Sequence, residues 1–258
     1  MYYPIQIPYI LNKAFSQNIK YAETPAVGCE DFVICFWETQ PLPNCKLPVT
    51  NIIVTDACID IVADFDERRI GFSGMSNTNF DYKIDQSAKF MGARLMPGAF
   101  HQLTGLPATI AMDTFLPIEA VYANFDRALF FSLPFEQAKE YLKDFISQQT
   151  QNKKANIFTG LFHLLSQNTP STTKELCQRL NYSPRQCQRL FAKHYGITPK
   201  AVLSIIRFQK CLKILSSPKA KPADILNAAE YYDQPHCIKD FKRNIGITPM
   251  ELIRAYQD

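Results

Sequence analysis

The sequence predicts an α+β protein of two domains, a β-rich domain over residues 1–150 and an all-helical domain over residues 151–258. Three observations support this division. The chain has 258 residues, whereas one domain usually has roughly 100–200. Residues 1–150 carry 11 Lys and Arg against 17 Asp and Glu, whereas residues 151–258 carry 17 against 7. An internal sequence repeat is confined to the second, basic part.

The N-terminal part contains short runs rich in β-branched and aromatic residues, which turn-forming Pro, Asn, Asp and Gly separate. Several short strands at this spacing favour a barrel or a sandwich. The predicted strands lie within residues 32–37, 51–55, 58–65 and 79–85.

A flanking helix of about 15 residues is predicted after Pro134, because Phe135, Ala138, Leu142 and Phe145 recur at helical spacing. This apolar stripe has two interpretations. Phe135, Leu142 and Phe145 join two copies of the chain, or they pack on the β-rich domain of the same chain. The polar residues 148–154 that follow are the predicted linker.

The repeat relates Phe191–Pro199 to Phe241–Pro249 at an offset of 50 residues, which Cys187 and Cys237 share. Each copy has the signals of a helix, a tight turn and a second helix. Those signals are helix-capping residues at the start of the second helix and a glycine at its end. They are Ser183, Pro184, Gln186 and Gly196 in the first copy, and Asp233 and Gly246 in the second.

The outward face of the second helix in the first copy predicts a role in binding DNA. Arg185, Gln188, Arg189 and Lys193 lie there, and side chains of these types read base edges or hold phosphates. The excess of basic residues in this domain favours phosphate-bearing partners. A solvated basic face on ordinary packed helices is the alternative.

Residues 171–256 resemble the DNA-binding domain of the AraC/XylS transcription regulators. The resemblance rests on Ser183-x-x-x-x-Gln-Arg-x-Phe191, on Asp233–His236, on Asp240–Arg243, and on the Gly-Ile-Thr-Pro sequence in both repeats. It implies about seven helices that form two helix-turn-helix units, joined by a long helix near residues 199–216. Leu226, Glu230 and Cys237 depart from the family pattern, so the second unit is expected to be adjusted but retained.

This resemblance implies a set of DNA contacts. The base-reading candidates are Arg185, Gln188, Arg189, Pro235, His236 and Lys239; the phosphate-binding candidates are Lys193, Lys200, Lys242 and Arg243. His236 has a local hydrogen bond at the helix start as its alternative role. Arg207, on the long helix, is expected to form an internal ion pair.

Two N-terminal segments, Asp56–Val62 and Gly92–Gly98, resemble one subgroup of AraC-like sensor domains, which implies effector binding or dimerisation. Within them, Arg94 is a candidate to hold an anionic effector, and a structural ion pair is its alternative role. Cys58 is expected to be a packed thiol, with redox sensing as the alternative. The nearby carboxylates could do acid–base work or bind a metal, but a polar strand face and turn is favoured. They are Asp56, Asp60, Asp64, Asp66 and Glu67.

Together these features predict a sequence-specific DNA-binding transcription regulator that responds to an effector through its N-terminal domain. The expected partner is double-stranded DNA; RNA polymerase, a small-molecule effector and a second copy are further candidates. We expect no cofactor, metal, membrane association or catalytic residue. Two alternatives stay open: an enzyme or small-molecule-binding module in residues 1–150 with a helical appendage, and a regulator without an effector.

Composition agrees with an intracellular globular protein. The chain is 47% hydrophobic and 20% charged, which excludes collagen-like and fully disordered chains. No apolar run reaches the ~20 residues of a membrane span, and the first residues do not resemble a signal peptide. The eight cysteines contain no Cys-x-x-Cys pair, so reduced, buried thiols in a cytoplasmic protein are expected.

Overall fold

The computed structural model describes residues 2–6, 13–74, 80–84, 89–215, 231 and 233–257. The family departures at Leu226 and Glu230 lie outside the described residues. Within the described part, every helix is too short or too polar to cross a bilayer.

The N-terminal region is built on antiparallel strands, which confirms the β-rich prediction. A six-stranded sheet has the order β1-β2-β7-β4-β5-β8, and β3 pairs with β6 in a separate two-stranded sheet. The strands are β1 Ile19–Pro25, β2 Val33–Pro41, β3 Val49–Ile53, β4 Asp60–Asp64, β5 Arg69–Ser73, β6 Phe80–Ile84, β7 Phe90–Leu95 and β8 Phe115–Pro117.

Helices flank the sheets and form the C-terminal region. They are α1 Lys13–Asn18, α2 Ala99–Thr104, α3 Arg127–Ser132, α4 Phe135–Thr150, α5 Ile157–Gln167, α6 Thr173–Arg179, α7 Pro184–Tyr195, α8 Pro199–Leu215, α9 Gln234–Ile245 and α10 Pro249–Gln257. Two 3-10 turns, Ala108–Ala111 and Ile118–Ala120, flank β8.

Helix α4 begins where the apolar stripe predicts, but it continues through Thr150 into the predicted linker. The polar residues 148–150 contain no helix breaker, so the helix ends only before Asn152, whose φ is 63°. Leu142 and Phe145 are buried in the core of the same chain, and Phe135 packs against that core. The structure thus gives the stripe an intramolecular partner.

Local capping determines the helix boundaries of both repeats. Ser183 and Gln186 form a capping box at the start of α7, and Asp233 caps α9. Gly196 and Gly246 end these helices at φ 76° and 82°, where a side chain would be strained. The predicted long helix is α8.

The buried core crosses the boundary at residue 150. One cluster of buried apolar residues extends from the six-stranded sheet into α5, α6, α7 and the first half of α8. A second cluster joins the end of α8 to α9 and α10 and includes Val54 of the N-terminal region. Seven of the eight cysteines are buried and all eight are free, as predicted for reduced thiols.

Candidate nucleic-acid interface

Helix α7 has one buried face and one exposed polar face. Cys187 and Phe191 are fully buried and anchor the helix. The four predicted contact residues on the opposite face are exposed: Arg185, Gln188, Arg189 and Lys193. Because the amphipathic period fixes which side faces the core, these donors are presented together to solvent.

Helix α9 repeats this arrangement in the second unit. Cys237 and Phe241 are buried at positions equivalent to Cys187 and Phe191. The exposed candidates are Pro235, Lys239, Lys242 and Arg243. His236 is half-buried, with its ring edge-on to Tyr231 at a centroid distance of 5.3 Å. Only one strong side-chain donor, Lys239, therefore stands fully exposed among the second unit's base-reading candidates.

The cationic candidates are available for an external anion. Within the described residues, none of them takes part in an ion pair with a carboxylate. Lys200, at the start of α8, is likewise exposed. These cations are Arg185, Arg189, Lys193, Lys200, Lys239, Lys242 and Arg243.

Arg207 is separated from this surface, because its side chain is buried along α8. Its Nε has no hydrogen-bond partner among the described residues. Asp240 of α9 is also buried, and no ion pair between the two side chains is found in the described part of the chain. The predicted internal location is observed, whereas the predicted ion pair is not.

Arg94 lies in a buried charge cluster in the six-stranded sheet. It stands opposite Cys35 of β2 and Asp60 of β4 in the strand register. Its Nη1 lies 3.1 Å from Glu23 Oε1, and its Nε lies 3.7 Å from Asp56 Oδ2 and 3.6 Å from Asp60 Oδ2. These ion pairs correspond to the structural role considered for Arg94.

Neighbouring donors share the three carboxylates with Arg94. Trp37 Nε1 donates to Asp60 at 2.9 Å, Gln6 Nε2 donates to Asp56 at 2.7 Å, and the Tyr3 and Tyr21 hydroxyls donate to Glu23. Burial nevertheless raises the pKa of Asp60 to about 7, although Arg94 opposes this shift. Sequence patterns did not indicate these partners, because they come from separate strands and from the N-terminal segment.

The remaining carboxylates form a turn. Asp64 Oδ1 accepts hydrogen bonds from the backbone amides of Asp66 and Glu67, and Arg69 pairs with Asp64 and Glu67. The described residues bring no three His, Cys, Asp or Glu side chains into a metal-binding group. Cys58 is buried, and this burial raises the pKa of its thiol well above the usual range. The geometry matches the polar strand and turn favoured from the sequence.

Helices α6 and α7 form one helix-turn-helix unit, and α9 repeats the buried anchor face and the exposed polar face of α7. The predicted first helix of the second unit lies outside the described residues. Residues 176–255 match the family described as "Helix-turn-helix domain", and residues 23–117 match one described as "Domain of unknown function (DUF6597)". The C-terminal region is thus a helix-turn-helix domain of the AraC/XylS type, as the resemblance predicts.

An uncharacterised HTH-type transcriptional regulator of Bacillus subtilis (strain 168), YtdP, is 28% identical over 125 residues. The match covers 45% of this chain and spans 16% of the length of YtdP.

Solved structures of ToxT from Vibrio cholerae resemble the chain in outline. An apo form of a ToxT point variant aligns with a TM-score of 0.41 at 9% identity, covering 92% of this chain and 97% of ToxT. The wild-type protein with bound unsaturated fatty acid gives 0.40 at 10% identity, covering 92% and 93%.

Proposed function

We propose that the protein is a sequence-specific DNA-binding transcription regulator that uses α7 and α9 as recognition helices. The observation that carries the proposal is the pair of exposed faces on α7 and α9, at equivalent positions of the two repeats. Recognition helices of this class enter the major groove and contact base edges. Because both units belong to one chain, they read one asymmetric element.

The two units have different tasks in this proposal. Arg185, Gln188 and Arg189 all reach bases with hydrogen-bonding groups, so the first unit dominates base discrimination. In the second unit Pro235 and His236 supply van der Waals contact and Lys239 a donor. Phosphate contacts fix the register and come from Lys193, Lys200, Lys242 and Arg243.

The N-terminal domain supplies effector response or dimerisation in this proposal. An anionic effector would reach Arg94 only by displacing Glu23, Asp56 or Asp60, which already surround its guanidinium. An effector-free regulator is the second candidate, and the close aromatic packing between the sheet and its flanking helices favours it. We propose no catalytic role for residues 1–150.

The central experiment is selection of bound fragments from genomic DNA by the full-length chain, followed by titration with salt. If the interface neutralises about six phosphates, log K falls with log salt at a slope near −5. Failure to select any DNA element would contradict the proposal. If the affinity for a selected element did not change with salt concentration, the exposed cations would not be in contact with DNA phosphates.

Arg189→Ala and Lys242→Ala separate base reading from phosphate binding. Arg189→Ala is expected to cost about 1–3 kcal/mol of binding free energy and to relax the preference at one or two base pairs. Lys242→Ala is expected to weaken all sequences alike and to reduce the salt slope by about one. Binding selections on both variants measure this. An unchanged preferred motif in Arg189→Ala would show that α7 is not the recognition helix of the first unit.

A further inference from the structure

The C-terminal ends of the two recognition helices both contact the N-terminal domain. His194 and Asn244 occupy equivalent positions, separated by the repeat offset of 50 residues, and both are buried polar residues among the apolar residues of the core-facing side of their helices. Neither side chain lies on the face proposed to meet DNA. Their burial therefore needs a separate explanation.

In the first unit the contact is aromatic. The His194 ring stacks on Phe158 at a centroid distance of 3.8 Å and meets His101 of α2 edge-on at 4.6 Å. Its Nδ1 is buried without a hydrogen-bond partner among the described residues. Gly196, directly after α7, lies so close to Met112 that an added Cβ would stand 2.7 Å from its sulfur. The end of α7 is thus packed tightly on the segment between β7 and β8.

In the second unit the contact is made by hydrogen bonds. The Thr55 side-chain hydroxyl donates to the side-chain oxygen Oδ1 of Asn244 at 2.5 Å. The Thr55 backbone N–H donates to the backbone carbonyl oxygen of Asn244 at 3.4 Å. Asn244 Nδ2 donates to the Asp240 carbonyl oxygen at 2.7 Å, which fixes the orientation of the amide. A buried amide satisfied in this way opposes movement of α9 away from Thr55, because separation would leave its acceptor unpaired.

Thr55 is itself held from both sides. Its carbonyl oxygen accepts from Gln209 of α8 at 3.0 Å, and the next residue, Asp56, belongs to the charge cluster around Arg94. Gln209 Oε1 also accepts from the Ile5 amide at 2.7 Å. The segment that carries Thr55 is therefore tied to the sheet, to the N-terminal segment and to the long helix between the two units.

We infer that His194 and Asn244 are positioning residues through which the N-terminal domain holds the two recognition helices at a fixed separation. The inference rests on the proposed function and adds a role for the N-terminal domain in binding DNA. Each recognition helix contacts one half of the DNA element, called here a half-element. Two helices held at a fixed separation bind DNA with one spacing between the half-elements, whereas a loosened second unit binds DNA with several spacings. The N-terminal domain thus contributes to specificity without touching DNA.

The test uses the full-length chain with Thr55→Val, which removes the hydroxyl donor to Asn244 and keeps the shape of the side chain. Thr24→Val is the matched control, because Thr24 is exposed on β1 and its hydroxyl lies 3.5 Å from the Phe36 carbonyl oxygen within the same sheet. For each protein, DNA selected from a random library gives the distribution of spacings between half-elements. Affinity is then measured for the best element and for the first half-element alone.

Wild type and Thr24→Val are expected to select one dominant spacing. Thr55→Val is expected to select a broader set of spacings and to bind the best two-part element about tenfold more weakly, with unchanged affinity for the first half-element. A general loss of stability would weaken both elements alike, so this split identifies a positioning role. His101→Leu makes the corresponding change at the first unit and serves as the second variant if Thr55→Val does not fold.

Wild-type spacing and affinity in folded Thr55→Val would overturn the inference while leaving the proposed function intact. Tighter binding by Thr55→Val would also overturn it, because the contact would then oppose DNA binding. If the wild-type chain selects no element at all, the proposed function fails and the inference fails with it.

Discussion

Arg94→Met is expected to lower the free energy of unfolding by about 3–5 kcal/mol, because it leaves one buried and two partly buried carboxylates without their buried cation. Arg94 is buried, and Asp56, Asp60 and Glu23 all lie within 3.7 Å of its guanidinium nitrogens. Methionine retains much of the apolar volume, so the loss reports charge more than packing. Urea unfolding followed by circular dichroism measures it.

The pH dependence of the stability lost in Arg94→Met distinguishes the loss of ion pairs from the loss of packing contacts. Arg94 opposes the burial that raises the pKa of Asp60, so its removal raises that pKa further and folding then favours the protonated carboxyl group. The difference in free energy of unfolding between wild type and Arg94→Met is then largest at pH 8 and becomes smaller as the pH falls toward 5. Arg69→Met is the control, because Arg69 forms half-exposed ion pairs worth at most about 1 kcal/mol. A small, pH-independent deficit in Arg94→Met would contradict the ion-pair role.

Leu142→Ala is expected to destabilise the protein by about 2–5 kcal/mol and to leave its molecular mass unchanged. Leu142 is 1% exposed and lies within the main core cluster, so truncation creates a cavity inside one chain. Urea unfolding gives the stability, and light scattering at the same concentration gives the mass.

The matched control is Leu129→Ala on α3, because this leucine is 45% exposed. Truncation at an exposed position is expected to change stability by less than about 0.5 kcal/mol. If Leu142→Ala instead keeps wild-type stability and converts a dimer into a monomer, the stripe of Phe135, Leu142 and Phe145 joins two copies. The alternative interpretation of that stripe would then be correct.

Most elements of the fold follow from short-range signals. The capping box of Ser183 and Gln186, the cap at Asp233 and the left-handed glycines act within one helical turn, so they can be identified without tertiary information. The period of the α4 stripe likewise fixes which face is apolar. It does not determine which surface covers this face, so the sequence left open both packing within one chain and contact between two copies.

The candidate interface was predictable for the same reason. In each repeat the apolar positions identify the buried face of the second helix. The helical period then identifies the residues on the opposite, exposed face. The partners of Arg94 were not predictable, because Glu23 and Asp60 meet it through the register of β1, β2, β4 and β7, and Asp56 meets it from the segment before β4. A one-residue change in register would move these side chains to the other face.

The sequence by itself therefore determined the two regions, the repeated helical units and the exposed polar faces, because periodicity, capping and composition are local properties. Only the tertiary structure decided how the regions are joined. Thr55 and Asn244 are 189 residues apart in the chain, and His101 and His194 lie in different regions, yet each pair is in contact. No local pattern specifies such contacts, because they depend on strand order and on the packing of the helices against the sheet domain.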